Sequence, residues 1–172
     1  VTLIRRETDR DHAAVHAVQD AAFKGAAHAS GHEADLVDAL RGTEAWAPPH
    51  SLVAEIDGAV VGHVVSSYGT VAGTRVLGLG PIGVHPDRHG QGIGSALMHA
   101  ALAAADARDE PAVILLGDPG LYGRFGFVPA ADHGIEPEHP EWGYYFQIRT
   151  LTAWDDSLKG TFAYAPPFAE FG

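Results

Sequence analysis

The segment Leu79–Leu97, LGPIGVHPDRHGQGIGSAL, holds the densest run of residues suited to chemistry. A strand reads up to Val84, Pro86 blocks its continuation, and Gly90, Gly92 and Gly94 alternate into a helix start. Alternating glycines let the backbone approach a ligand closely and present successive N–H groups. The helix that follows adds the positive end of its macrodipole, so the segment predicts an anion site suited to a pyrophosphate. Two other phosphate cradles are excluded by residue. A P-loop needs Lys-Ser/Thr after its second glycine, and this segment has no lysine. The dinucleotide fingerprint G-x-G-x-x-G fails at its sixth position, Ser95, and its first glycine would follow the strand at once, whereas here five residues part Val84 from Gly90. A glycine-rich turn that only caps a helix is the competing reading, and it would spend backbone entropy for no packing gain.

Other reactive side chains are sparser. There is no cysteine, which removes disulfides, thiolate zinc sites, iron–sulfur clusters and a cysteine nucleophile together. The 11 histidines are scattered; the closest spacing, His28 to His32, lies in a Gly/Ala/Ser-rich stretch, and no metal site is expected. With 11 basic and 22 acidic residues the formal charge is −11. Such a surface repels nucleic acid and anionic lipid and mildly favours cationic partners such as amines, although an acidic balance is also the ordinary mark of a soluble protein. No stretch approaches the roughly 20 apolar residues of a membrane span. The expectation is a cytoplasmic protein with no nucleic-acid or membrane partner; the sequence leaves the oligomeric state open, a homodimer being the commonest assembly.

The elements that must position the glycine segment read as one domain over residues 1–172, a length at which a single core is the default. Leu3–Arg5 is a first strand; Thr8 is an N-cap with Asp11 at the third helical position, opening a helix to about Phe23. Val15, Val18 and Ala22 recur on it at helical spacing. Lys24–Gly31 reads as a loop and Glu33–Arg41 as a second helix with Leu36, Val37 and Leu40 inward. Leu52–Ile56 and Val60–Ser67 form a hairpin on Asp57-Gly58, a pair that tolerates the positive φ of a tight turn. A strand follows from Thr74 to Val84, then the glycine loop, an alanine-rich helix from about Gly92 to Ala107, and the short apolar strand Val113–Leu116. After a helical turn at Leu121–Phe125 come strands near Phe127 and Tyr144–Arg149. The tail from residue 150 carries Trp154, Phe162, Tyr164, Phe168 and Phe171, and is expected to pack across the domain. The order predicts an α/β (mixed α+β) fold: a mixed sheet with helices on both faces.

Val84-His85-Pro86-Asp87 followed by His89-Gly90-Gln91-Gly92-Ile93-Gly94-Ser95 resembles the acetyl-coenzyme A loop of the GNAT superfamily, Gln/Arg-x-x-Gly-x-Gly/Ala. Gly92 and Gly94 match its small positions, and His89 stands where Gln or Arg is usual. Leu115–Phe127, LLGDPGLYGRFGF, resembles the later motif of that family, with Tyr122 four residues before Gly126-Phe127 and Gly117-Asp118 in place of the frequent asparagine. The run G-D-P-x-x-Y-G-R-F-G-F and the closing Tyr…Pro-Phe are similar to the YhbS-like branch. The match is strongest over residues 79–129.

The resemblance implies a mostly antiparallel sheet in which the strand ending at Val84 splays from Val113–Leu116, with acetyl-CoA in the wedge. It implies a helical acceptor-side region over residues 1–50 and a coenzyme-binding core over 74–129. Backbone groups of Ile82, Gly83 and Val84 would pair with the pantetheine arm, and His89, Gly90, Gln91, Gly92, Ile93, Gly94 and Ser95 would hold the pyrophosphate. The implied reaction is acetyl transfer to a primary amine, with a small cationic acceptor favoured over a protein. Tyr122 would serve as general acid towards the leaving thiolate, or pack as an aromatic residue. An amine of pKa near 10.4 is only about 1 part in 2,500 neutral at pH 7, so a base is useful. Glu33 is favoured slightly over Glu55 and Asp118, with His28, His32 and His85 behind; Trp46 would line the acceptor pocket or pin a loop. Use of another acyl-CoA and a non-catalytic coenzyme-binding module are the alternatives.

Overall fold

The computed structural model describes residues 1–172. Strand β1 (Thr2–Arg6) leads through a 3-10 turn at Asp9–Asp11 into α1 (His12–Phe23). Thr8 and Asp11 form the reciprocal capping pair, with the Thr8 N–H donating to Asp11 Oδ2 at 2.7 Å. Helix α2 (Glu33–Arg41) follows, then β2 (Ser51–Ile56), β3 (Ala59–Val71) and β4 (Thr74–Val84). The crossover helix α3 (Ile93–Ala107) returns the chain to β5 (Ala112–Leu116). Beyond it lie a one-turn helix α4 (Pro119–Tyr122), β6 (Val128–Pro129), β7 (Ile135–Glu136), β8 (Phe146–Thr150), β9 (Gly160–Ala163) and α5 (Pro167–Phe171).

The sheet runs β1-β2-β3-β4-β5-β8-β6, with β9 pairing the far end of β3 and β7 pairing β9. Strands β1 to β4 form an antiparallel meander; β4–β5 is parallel, as the intervening helix requires. Helices cover both faces. On β3, a Cβ at Gly62 would lie 3.0 Å from Leu97 of α3, whereas its neighbour His63 meets Gln19 of α1, and successive strand residues point to opposite faces. The α3 face buries Leu52, Val64, Leu77, Leu97 and Leu115; the other face is filled by Val15, Val37, Val53 and Val65 under α1 and α2. Further along that second face, Val76, Ile114, Phe146, Ile148 and Phe162 pack beneath the C-terminal segment.

The C-terminal segment adds β9 and α5, which its Gly, Pro and aromatic composition concealed. Strand β3 runs past the predicted Ser67 to Val71, because its far end finds a partner in β9. The strand expected from Tyr144 begins at Phe146, since Pro140–Tyr145 is taken up by 3-10 turns.

Candidate active site

Strands β4 and β5 share only two register pairs, Leu77↔Val113 and Gly78↔Ile114, and then part. A β-bulge marks the divergence: Ser66 faces Leu79 and Val64 faces Ile82, so Gly80 and Pro81 together oppose Val65 alone. The extra residue reverses the alternation. Before the bulge Leu77 and Leu79 face α3; after it Ile82 and Val84 do, while Gly83 faces α1. Gly80 sits at φ +141, a region that favours glycine.

The gap opens into a cleft of about 580 Å³. Ile82, Gly83 and Val84 form one wall, Gly92, Ile93, Gly94 and Ser95 a second, and Leu121, Tyr122 and Phe125 a third. His89 and Gly90 lie at the loop side, and Ala22 and Phe23 close the end of α1 over it. Gly92 is the N-cap of α3 at φ +78. The first backbone bond of the helix joins Ala96 N–H to Gly92 O at 3.0 Å, so the N–H groups of Ile93, Gly94 and Ser95 have no partner within the helix. No acidic side chain stands in that first turn, which leaves the positive helix end open to an external anion. Arg88 and Arg124 also line the cleft and bring cationic groups to two of its sides.

His89 does more than lend backbone. Its Nε2 lies 3.0 Å from the Val84 carbonyl oxygen and ties the loop back to β4. Gln91 is exposed and stands outside the cleft lining. Tyr122 is half-buried; its ring lies against Gly117, where a Cβ would collide with it, and meets Phe127 edge-on at 6.2 Å. Burial and then the nearby Asp118 charge raise the pKa of its phenol, so the hydroxyl stays protonated at neutral pH and can donate.

A parted strand pair, an anion-seeking helix start and a protonated phenol on one cleft agree with the comparison by sequence. The family model described as Acetyltransferase (GNAT) family matches residues 13–127. The chain belongs to the GNAT family. This acyltransferase is 32% identical over 160 residues to the uncharacterized N-acetyltransferase YhbS of Escherichia coli strain K12, covering 92% of this chain and 91% of that protein. The crystal structure of E. coli YhbS in complex with CoA matches with a TM-score of 0.87 and 32% identity, covering 99% of this chain and 93% of that one. A GNAT family acetyltransferase from Brucella melitensis, in complex with acetyl-CoA, matches with a TM-score of 0.81 and 36% identity over 98% of each chain.

Within this GNAT domain the candidate bases are dispersed. Glu33 lines a separate pocket of about 430 Å³, and Phe23 is common to both pockets. Its Oε2 accepts from the Ser30 N–H at 2.8 Å and its Oε1 from the Gly31 N–H at 3.2 Å, closing the loop before α2. Glu55 is paired with Arg5 at 3.1 Å on β2. Asp118 caps α4 by accepting from the Gly120 N–H at 2.8 Å. His85 Nδ1 accepts from the Asp87 N–H at 3.1 Å, His32 is exposed beside Asp35, and His28 is exposed in its loop. Trp46 packs against Arg41 and the α1–α2 core, pinning its loop.

Sequence reasoning missed a buried polar chain beneath the cleft. Gln19 Nε2 donates to His63 Nδ1 at 2.8 Å, so His63 carries its proton on Nε2, which lies 2.8 Å from Ser51 Oγ. Ser51 Oγ donates to Glu7 Oε1 at 3.3 Å, and Glu7 is paired with Arg41 at 2.8 Å. Burial holds His63 below its ordinary pKa despite Glu7, keeping it neutral. Burial alone would raise Glu7, but hydrogen bonds from His63 and Arg41 more than offset it and hold the carboxyl at about 2. At its other end the chain touches β4: a Cβ at Gly83 would stand 2.6 Å from Gln19 Oε1. Its signal in the sequence was faint, a lone glutamine on the inward face of α1 and a histidine inside an apolar strand.

Proposed function

We propose that this GNAT protein transfers an acetyl group from acetyl-CoA to a primary amine by direct attack, with Tyr122 as the general acid. The observation that carries the reading is the cleft itself, which is lined both by Ile93, Gly94 and Ser95, whose N–H groups lack intrahelical partners, and by Tyr122. The residues fit the coenzyme. Gly90 and Gly92 have open space where a Cβ would be, at φ +77 and +78, so a phosphate can lie against their backbone. Arg88 and Arg124 supply charge for phosphates, and the parted edge of β4 from Ile82 to Val84 offers backbone groups to an extended amide-bearing arm. The relatives crystallised with CoA and acetyl-CoA support this assignment.

In the reaction the amine nitrogen attacks the thioester carbonyl carbon, the N–C bond forms, and the C–S bond breaks. Tyr122 gives its proton to the departing sulfur and recovers one from solvent; the amine proton leaves to water. A phenol and a thiol are close enough in acidity for this transfer, and burial keeps the phenol in its donating form. The net charge of −11 favours approach of a cationic amine.

The test is titration of the protein with acetyl-CoA in a calorimeter, followed by amine-dependent release of CoA thiol. Micromolar binding with thiol release is expected. Absence of acetyl-CoA binding would remove the reading at its root.

A further inference from the structure

We propose that the aromatic pocket on the sheet face opposite α3 is the acceptor site, and that it takes a small primary amine carried on an aromatic or apolar body. The inference rests on the transferase reading above and adds to it the class of the second substrate.

The pocket has a volume of about 390 Å³, within the range of small-molecule sites. Trp142, Tyr164 and Phe168 line it together with the buried Leu79, the exposed Leu116, Glu138 and His139. Its placement connects it to the reaction. The Tyr164 ring lies over Gly78, the last β4 residue paired with β5; a Cβ there would be 3.1 Å from it. Leu79 belongs to the core on the α3 face, yet it also lines this pocket on the other face. The pocket therefore reaches the opening where the two strands part. Leu116 immediately precedes Gly117, the residue against which Tyr122 packs. The two cavities thus approach the same gap from different sides, one carrying the anion-binding backbone and the other the aromatic walls.

The chemistry of the lining selects the ligand. No lysine or arginine lines the pocket; its titratable side chains are Glu138 and His139, the imidazole tilted against Trp142 with centroids 4.8 Å apart. One oxygen of Glu138 is held by the Tyr164 N–H at 2.9 Å, which fixes the group in the lining. A carboxylate beside aromatic faces attracts an ammonium group, while the faces themselves take an apolar body. The walls are preorganised. Tyr164 packs tilted against Phe168 with centroids 4.6 Å apart and meets Trp142 edge-on at 6.0 Å, so little side-chain entropy is left to lose on binding. A polyamine offers methylenes but no ring face, and brings several ammonium groups to a lining with one carboxylate side chain, Glu138.

The experiment compares 2-phenylethylamine, spermidine and a lysine-containing peptide as acceptors, with acetyl-CoA binding measured on each preparation. Phenylethylamine should exceed the others in kcat/KM, and Trp142→Ala should raise its KM roughly tenfold with acetyl-CoA affinity unchanged. Trp142→Phe should keep most of the wild-type KM, which separates loss of a ring from loss of folding. Glu138→Gln should raise KM for phenylethylamine several-fold while sparing kcat. Binding of phenylethylamine to the CoA-saturated protein, followed by titration calorimetry, gives the same ranking without turnover. The proposal falls if acetyl-CoA binds but phenylethylamine neither binds nor reacts, if spermidine or the peptide is preferred, or if Trp142→Ala leaves KM unchanged. Failure of acetyl-CoA binding would instead overturn the transferase reading beneath it.

Discussion

The two cavities at the β4–β5 gap are built on opposite plans. The coenzyme side is made of backbone: glycines at positive φ, a helix start whose N–H groups lack intrahelical partners, and a strand edge freed by a bulge. The other side is made of side chains, a lattice of rings from Trp142 to Phe168 with Glu138 and His139 in the same lining. Backbone donors suit a ligand whose recognised part, a pyrophosphate, never changes. Side-chain walls can be replaced one ring at a time, and so suit a partner that differs between enzymes of one fold. On the proposed reading coenzyme recognition lies in the backbone and acceptor selection in side chains, and variants that act on one side alone test it.

The largest effect is expected from Gly92→Val. No protein atom lies within 4 Å of the added Cβ, so the burden falls on a backbone at φ +78 that a β-branched residue resists and on the space a phosphate would use. Acetyl-CoA affinity should fall by roughly 100-fold or more by calorimetry. Unchanged affinity would break the backbone half of the comparison.

Tyr122→Phe should come next, lowering kcat by about 100-fold, the usual range for a lost proton donor, with acetyl-CoA affinity nearly intact. Equal turnover would reduce Tyr122 to an aromatic wall. Because burial and Asp118 raise its pKa above 10.0, the alkaline loss of activity that depends on this proton should begin later than for a free tyrosine. Smaller again, Arg88→Ala and Arg124→Ala should each weaken coenzyme binding by about 3- to 10-fold, an effect that shrinks as salt is raised. Neither should alter KM for an amine if the two sides are separate.

The scaffold shared by both sides should fail under acid. His63 has a folded pKa below its unfolded 6.5, so its contribution is lost as pH falls below that value. Glu7 has a folded pKa of about 2 against 4.5, so its contribution of roughly 3 kcal/mol is lost between those values as pH falls. Thermal melts should therefore decline in two stages on acidification, and His63→Gln should remove the earlier one. A single transition unaffected by His63→Gln would show that the buried chain does not carry this dependence.

The legible part of the cleft lining was the part that is contiguous: Gly90 to Ser95 could be read from glycine conformation and a helix start, and Leu115 to Phe127 from its resemblance to a family motif. Arg88 stood two residues before Gly90 and could have been included; a cation beside a glycine cradle is the signal. Glu33 looked like a base because it opens a helix, and the structure shows its carboxylate held by Ser30 and Gly31. The same position suits a cap and a base, and residue type alone does not separate them. The Gln19–His63–Ser51–Glu7 chain spans elements far apart in sequence, and nothing local marks its members as partners.

The order of the meander, the crossover helix and the start of α3 were determined by the chain alone, because they depend on periodicity, glycine conformation and short-range capping. The tertiary structure alone decided where β4 leaves β5, since the bulge at Gly80 and Pro81 is defined by the single residue, Val65, that opposes them. It alone decided that the aromatic tail would lie over Gly78 and meet Trp142, because that contact requires β9 to find the far end of β3. Pairings between distant segments are set by the summed packing of the sheet, and no local stretch of chain contains that information.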